Sequence, residues 1–278
     1  MIRELLDGNG AHVVSFGVYV IVALIGIFSI RRFHSTWMYV SGEEGAREAR
    51  RISTLRQAGF GFLQFRSLQL LIAGLAASWI LRMFLADWTI WDAVVVAGTV
   101  AVWPFQEWLF HAYLLHLKPL RLFGRTWEPI YVTTHRTHHL LPWEPGSGVV
   151  PIYFVTLYLL GLPILWRAAV PLPQAISGVA TTLSLIVTYE WIHYLIHTAY
   201  KPKGSWYASL WRNHRLHHFK NEHRWYGVTS VVADVVFGTR PAQESIENSE
   251  TCWTLGSPDE RAHSMGATPE RSADEATG

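Results

Sequence analysis

Five long apolar runs decide what this chain can fold into. They span approximately residues 11–30, 67–85, 89–110, 149–166 and 174–196. A helix needs about 20 mostly apolar residues to cross the hydrocarbon core of a bilayer, so each run is a candidate transmembrane helix. Half of the residues are hydrophobic and only 16% are charged, which argues against an ordinary water-soluble domain. The sequence predicts an all-α, multi-pass transmembrane helical bundle.

The number of spans is predicted as four or five. The third run contains Pro104 and Glu107, so either this run or the first could lie at the interface instead of crossing. Seven arginines fall between the first two runs, in residues 31–66, and the link between the second and third runs has none. Loops rich in Lys and Arg stay in the cytoplasm. Segment 31–66 is therefore predicted to be cytoplasmic, together with residues 117–148 and everything after about 198.

Charge divides the chain into a basic body and an acidic tail. Residues 1–240 contain 21 Lys and Arg against 13 Asp and Glu, whereas residues 241–278 contain 2 against 8. The tail has few large apolar side chains, so we expect it to be mostly disordered and to carry no chemistry. Removal of residues 245–278 is expected to leave activity largely intact. The basic residues flank apolar runs instead of forming a stripe, which argues against nucleic-acid binding.

Histidine is the second unusual feature. The chain has 14 histidines and one cysteine, Cys252, which excludes an intramolecular disulfide and a thiolate metal cluster. His12, His34 and His263 are interpreted as ordinary residues, and His223 is left open. The other ten form four clusters, each predicted at or just beyond the cytoplasmic end of a span: His111 and His116; His135, His138 and His139; His193 and His197; His214, His217 and His218.

The spacing within these clusters favours metal binding. Neutral imidazole suits iron, zinc, copper and nickel, and offsets of three and four residues place side chains on one helix face. One metal takes four to six ligands, so ten converging histidines predict two metal ions. His111 and His116 are five residues apart, about 140° on an ideal α-helix, which could let them serve different ions. Glu107 and Glu190 could accept spare imidazole N–H groups, with interfacial solvation as the alternative.

The pattern H-x4-H, H-x2-H-H, H-x3-H, H-x2-H-H resembles that of the fatty acid hydroxylase superfamily, which also contains sterol desaturases, sterol methyl oxidases and carotenoid hydroxylases. The resemblance covers approximately residues 90–240. It divides the chain into two spans with an arginine-rich loop (1–89), a hydroxylase-like domain (90–240) and the acidic tail (241–278). Residues 138–145 and 217–239 are most similar to the fatty acyl hydroxylase branch.

The resemblance implies an O2-dependent di-iron monooxygenase that hydroxylates an apolar lipid, foremost a fatty acyl chain. The ten clustered histidines would be the metal ligands, in a cytoplasmic cap, with no catalytic residue beyond them and no other cofactor. Zinc can occupy such sites in purified protein. Eukaryotic members often carry a fused haem domain, whereas the first 90 residues here are predicted spans and a loop. A separate electron-donor protein is therefore expected.

Three alternatives compete with this function, and the first of them stays open. A desaturase, or a sterol or carotenoid hydroxylase of the same superfamily, would have similar histidine clusters. A histidine-rich metal transporter is the non-enzyme alternative, disfavoured because a permeation path should place ligands near the bilayer midplane. An intramembrane zinc protease is disfavoured because the motif H-E-x-x-H is absent from the sequence.

Overall fold

The computed structural model describes residues 43–85, 87–118, 120–122, 125–127 and 129–255. The first predicted run, residues 11–30, lies outside the described residues, as do His12, His34 and His263. Helices dominate the described chain, and the predicted all-α class is confirmed except for one short hairpin. In that hairpin, β1 (Leu120–Leu122) pairs antiparallel with β2 (Arg125–Trp127).

The helices follow the apolar runs and the histidine clusters. Helix α4 continues directly into a π-helix, π1, and a 3-10 turn, Gln243–Ser245, follows the last helix. The helical elements are α1 (Glu43–Ala49), α2 (Leu55–Phe62), α3 (Arg66–Leu85), α4 (Ile90–Leu109), π1 (Phe110–Leu115), α5 (Ile130–Leu140), α6 (Pro145–Gly148), α7 (Ile152–Ala169), α8 (Leu172–Ile196), α9 (Ser205–Phe219) and α10 (Val232–Val236).

Four helical stretches among the described residues are long and apolar enough to cross a membrane. They match the second to fifth predicted runs, and Pro104 does not end α4. A short turn at Val170 and Pro171 joins α7 to α8. The four stretches are Arg66–Leu85, Ile90–Leu115, Pro145–Ala169 and Leu172–Ile196.

The first of two compact units contains described residues 59–102 and 149–191. Gly74 of α3 meets Leu159 of α7 so closely that an added Cβ would collide with the leucine side chain. Small residues allow such close approach between membrane helices. Arg82 and Asp92 form a buried ion pair at 2.8 Å, and the Ser177 hydroxyl donates to the same carboxylate at 2.6 Å. Pairing of this kind lowers the cost of charge inside a membrane helix bundle.

The second unit contains described residues 43–58, 103–148 and 192–255, apart from the gaps given above. All ten clustered histidines belong to it. Its small apolar core joins Trp108 of α4, Tyr226 and Ala233. The C-terminal end of helix α1 bonds to the segment after α8, where the Ala199 N–H donates to the Ala49 carbonyl at 3.2 Å.

Candidate metal centre

The ten histidines gather into two groups of five. Within each group the candidate ligand nitrogens lie within 4.8 Å of one another, and every member except the half-buried His116 is buried. Group A consists of His111, His116, His135, His139 and His217. Group B consists of His138, His193, His197, His214 and His218.

The two H-x2-H-H clusters each contribute to both groups. On α5, His135 and His139 belong to group A and His138 to group B. On α9 the division is reversed, with His214 and His218 in group B and His217 in group A. Neighbouring residues on a helix point about 100° apart, so the adjacent histidines of each cluster diverge, whereas the pair four residues apart stays on one face.

His111 and His116, the first cluster, do not have the separation of about 140° that an ideal α-helix predicts. His111 and His116 both belong to group A, so the idea that they serve different ions is wrong. The reason is π1, which covers Phe110–Leu115. A π-helix closes its hydrogen bonds from residue i to residue i+5, so side chains five residues apart lie closer to one face than on an α-helix. The same spacing on an α-helix would have separated the two imidazoles.

Distances between Nε2 atoms suit ligands of a shared ion. His116 lies 3.1 Å from His135 and 3.2 Å from His217 in group A, and in group B His214 lies 3.1 Å from His197 and 3.0 Å from His218. Two nitrogens that bind one ion at right angles, each about 2.1 Å from it, are about 3.0 Å apart. The residues present therefore fit a metal in either group.

Buried nitrogen atoms without partners give an independent test of the fit. The Nε2 atoms of His111, His138 and His139 are buried and have no hydrogen-bond partner among the described residues. A buried polar atom in that state is rare and calls for an explanation. One metal ion in each group would satisfy these nitrogens, because His111 and His139 belong to group A and His138 to group B.

Backbone carbonyls orient several of the imidazoles. A ring that donates its Nδ1–H to a carbonyl presents the Nε2 lone pair for metal binding. Four rings make this contact through Nδ1: His111 with the Tyr226 carbonyl at 2.5 Å, His217 with Arg224 at 2.8 Å, His139 with Cys252 at 2.9 Å and His193 with Gly148 at 3.1 Å. Sequence reasoning missed these partners because a carbonyl oxygen is present at every residue.

Gly148 is a further residue that sequence reasoning missed. A Cβ added there would lie 2.9 Å from Cε1 of His138 and 3.4 Å from Cε1 of His193. Only a glycine leaves room for both group B rings at this approach. The sequence Pro-Gly-Ser-Gly at 145–148 was its one visible signal.

Neither Glu107 nor Glu190 has the partner that was expected. The Glu107 carboxylate accepts the backbone N–H groups of Val228 and Thr229 and the Thr229 hydroxyl, and Glu190 accepts the Val150 N–H at 3.1 Å. Both are buried, at 5% exposure, so interfacial solvation does not describe them either. Apart from the Thr229 hydroxyl these contacts are to backbone N–H groups, which assigns both carboxylates to loop organisation.

Burial keeps the cluster histidines neutral. It lowers the pKa of His139 to about 3, and the pKa values of His138, His214 and His217 fall well below the usual 6.5, mainly through burial and further through neighbouring imidazoles. Neutral imidazole is the form that binds metal ions. These rings are therefore ready to act as ligands near neutral pH.

Residues 247–253, which we call the C-terminal strap, pack beside group A. The Ser249 N–H donates to the Lys220 carbonyl at 2.7 Å, the Thr251 hydroxyl donates to Glu222, and the Trp253 ring lies 5.3 Å from that of Phe219. Cys252 is 3% exposed, and its carbonyl is the one that His139 contacts.

The strap corrects the expectation for the tail. Residues 241–278 were expected to be mostly disordered, but the chain is described up to residue 255 and the strap within it is packed. Composition misled the prediction because much of this packing uses backbone groups, which hydropathy does not count. The residues after 255 lie outside the described chain.

The fold and the site together define a multi-span helical membrane protein with two histidine groups suited to metal ions. The model of the fatty acid hydroxylase family matches residues 96–239, which is more than half of the chain. The chain belongs to that family.

Individual relatives are hydroxylases of fatty acids or ceramides. The rat fatty acid 2-hydroxylase is 26% identical over 155 residues, covering 52% of this chain and 38% of the relative. The Arabidopsis thaliana dihydroceramide fatty acyl 2-hydroxylase FAH1 is 30% identical over 159 residues, covering 55% and 62%. The Saccharomyces cerevisiae ceramide very long chain fatty acid hydroxylase SCS7 is 30% identical over 140 residues, covering 50% and 36%. The chain therefore spans less than two thirds of each relative.

A solved structure of full-length scs7p, in which only the hydroxylase domain is visible, has a similar fold. Its TM-score is 0.51 at 24% sequence identity, and the match covers 71% of this chain and 70% of that one. At this identity the likeness supports the fold alone.

Proposed function

We propose that this protein is an O2-dependent di-iron monooxygenase that hydroxylates an apolar lipid, foremost a fatty acyl chain. The observation that carries the proposal is the pair of five-histidine groups with ligand-like Nε2 spacing. The relatives, which are named as fatty acid or ceramide hydroxylases, favour an acyl substrate over a sterol or a carotenoid.

The chain's own residues would hold and shield the metal site. Five imidazole nitrogens in each group would bind one ion, and iron bound there would supply dioxygen activation and hydrogen abstraction from an unactivated C–H bond. The carbonyls of Tyr226, Cys252 and Gly148 hold the rings of their histidines in the ligating orientation. Burial of the rings excludes water. No acid or base beyond the ligands is proposed.

The balance of the reaction requires partners. Hydroxylation consumes one C–H bond, O2, two electrons and two protons, and it yields an alcohol and water. The electrons would come from a separate electron-donor protein. The substrate would come from the membrane, and the metal site would lie on the cytoplasmic side, as the arginines of residues 31–66 favour. Zinc is expected to replace iron in some purified preparations.

Mass spectrometry of cellular lipids tests the proposal. Cells that express the protein should contain acyl lipids heavier by one oxygen, about 16 mass units. His138→Ala and His217→Ala should abolish this product and lower bound metal, since one changes group B and the other group A. His223→Ala is the matched control, because this side chain is 63% exposed and belongs to neither group.

Two results would contradict the proposal. Loss of two hydrogens instead of gain of oxygen would identify a desaturase. Full product and full metal content in both ligand variants would remove the histidine groups from the reaction.

A further inference from the structure

Helix α10 buries its one polar side chain together with Ala233 and, with the following Phe237, exposes its larger apolar side chains. Asp234 is fully buried, whereas Val232, Val235, Val236 and Phe237 are 49% to 61% exposed. A short helix at a water surface shows the opposite arrangement. The outer face of α10 is therefore unsuited to water.

The loop before α10 has its backbone donors satisfied by two buried carboxylates. Asp234 accepts the N–H groups of Tyr226 and Gly227, and Glu107 accepts those of the next two residues. Water would satisfy the same donors if the loop were solvated. Non-helical backbone within the hydrocarbon core has no water to bond with. It is tolerated there only where protein groups accept its N–H hydrogen bonds. The need to bond these N–H groups explains why the last turn of α4 carries a buried carboxylate, that of Glu107.

The same segment packs along the end of a predicted span. Helix α4 has 20 residues, about the length that crosses the hydrocarbon core. On its last two turns, Trp103 Nε1 donates to the Thr229 hydroxyl at 2.9 Å, and the Trp108 ring lies 4.3 Å from that of Phe237. These contacts place the 226–237 segment beside helix residues that lie within the crossing length.

The exposed apolar surface of α10 is continuous with that of the span. The Phe237 and Phe105 rings are 6.0 Å apart, and Phe105, Leu109 and Phe110 are 36%, 49% and 46% exposed. Lipid covers such side chains on a transmembrane helix. A single apolar surface therefore runs from the span onto α10.

We propose that residues 226–237 form a re-entrant segment whose outer face contacts lipid acyl chains of the bilayer. The proposal depends on the membrane spans and not on the proposed reaction. Its position has a consequence for the site, because the Tyr226 carbonyl in this segment is the one that His111 of group A contacts. Acyl chains of membrane lipids would lie next to the backbone that orients a candidate ligand.

Spin labels on single cysteines test the proposal in the full-length protein, reconstituted in phosphatidylcholine nanodiscs. Labels at Val235→Cys and Val236→Cys should collide with O2, which concentrates in hydrocarbon, several-fold more than with a water-soluble nickel chelate. Arg212→Cys, at an exposed position on α9, should show the reverse preference. The wild-type protein measures background labelling of Cys252, which is 3% exposed.

Nickel accessibility at positions 235 and 236 equal to that at 212 would show that water covers α10. Exclusion of both O2 and nickel would show that protein covers it, and either result overturns the proposal. The labels report position in the bilayer whether or not the protein binds metal. A failure of the hydroxylase proposal would therefore leave this test intact.

Discussion

Gly148 shapes group B in two ways. Its carbonyl accepts the Nδ1–H of His193 at 3.1 Å, and its missing side chain leaves space for the His138 ring. Both effects act on candidate ligands of the same group. The residue therefore combines an orienting contact with a steric requirement.

Gly148→Ala is expected to displace the His138 ring, because the new Cβ would lie 2.9 Å from its Cε1 atom. Loss of an orienting contact around a metal ligand typically weakens metal binding about 10- to 100-fold. We expect a loss of that order at group B, measured by metal titration of the purified protein. Gly161→Ala is the matched control, since a Cβ there meets nothing within 4 Å. Equal affinity in the two variants would show that the pocket adapts to the extra methyl group.

Residue identity and residue environment differ in how far the sequence predicts them. The ten clustered histidines were identified from spacing alone, and the structure brings all ten together. Their assignment as ligands stays a prediction. The orienting partners could not be found in this way, because Tyr226, Arg224, Cys252 and Gly148 contribute carbonyls that any residue would have. Glu107 was noticed for its charge, but its backbone partners depend on the tertiary fold.

Among the elements, π1 shows how one hydrogen-bond register changes a prediction. The sequence H-x4-H fixes the number of residues between His111 and His116 but not the type of helix that contains them. An α-helix separates side chains at that spacing, whereas a π-helix brings them nearer to one face. The choice is made by tertiary contacts, such as that between His111 and the Tyr226 carbonyl, 115 residues away along the chain. A single-sequence pattern contains no record of such a contact.

The C-terminal strap gives a prediction at the scale of an element. A chain that stops after Asn248 should lose metal from group A, because it lacks the Cys252 carbonyl that His139 contacts. A chain that stops after Leu255 keeps that contact and is the matched control. Bound metal, measured by mass spectrometry with zinc or iron, should fall from two equivalents toward one only in the shorter chain.

Circular dichroism of both truncated proteins checks that the helices remain. Two equivalents of metal in the shorter chain would show that the strap is dispensable. The expected result reverses the sequence-based expectation that removal of residues 245–278 leaves activity largely intact. It also concerns residues that follow the family match, which ends at residue 239.

For the whole molecule, the orientation in the membrane can be tested with a pair of single cysteines. Arg51→Cys lies in the arginine-rich segment and Arg167→Cys near the end of α7, and both positions are exposed. Three predicted spans separate the two positions, so they should face opposite sides, with position 51 in the cytoplasm by the positive-inside rule. A membrane-impermeant thiol reagent should label position 167 in intact cells and position 51 only after the membrane is opened. The reverse pattern would place the histidine groups on the outer side.

The architecture was predicted more completely than the site. Four predicted runs match helices long enough to cross a membrane, because hydrophobic length is a local property of the sequence. The hairpin of β1 and β2 was not predicted, since strands of three residues are too short to show a period. The strap was missed for a related reason, because its order comes from contacts with residues 219–222 and not from its own composition.

The division of each H-x2-H-H cluster between groups A and B couples the geometry of the two groups. A rotation of α5 that improves the reach of His138 also moves His135 and His139, and the same holds for His217 on α9. Neither α5 nor α9 can be reoriented toward one ion without a change at the other, unlike the clusters at π1 and α8, each of which belongs to a single group. Any change in the orientation of α5 or α9 therefore acts on both sites at once.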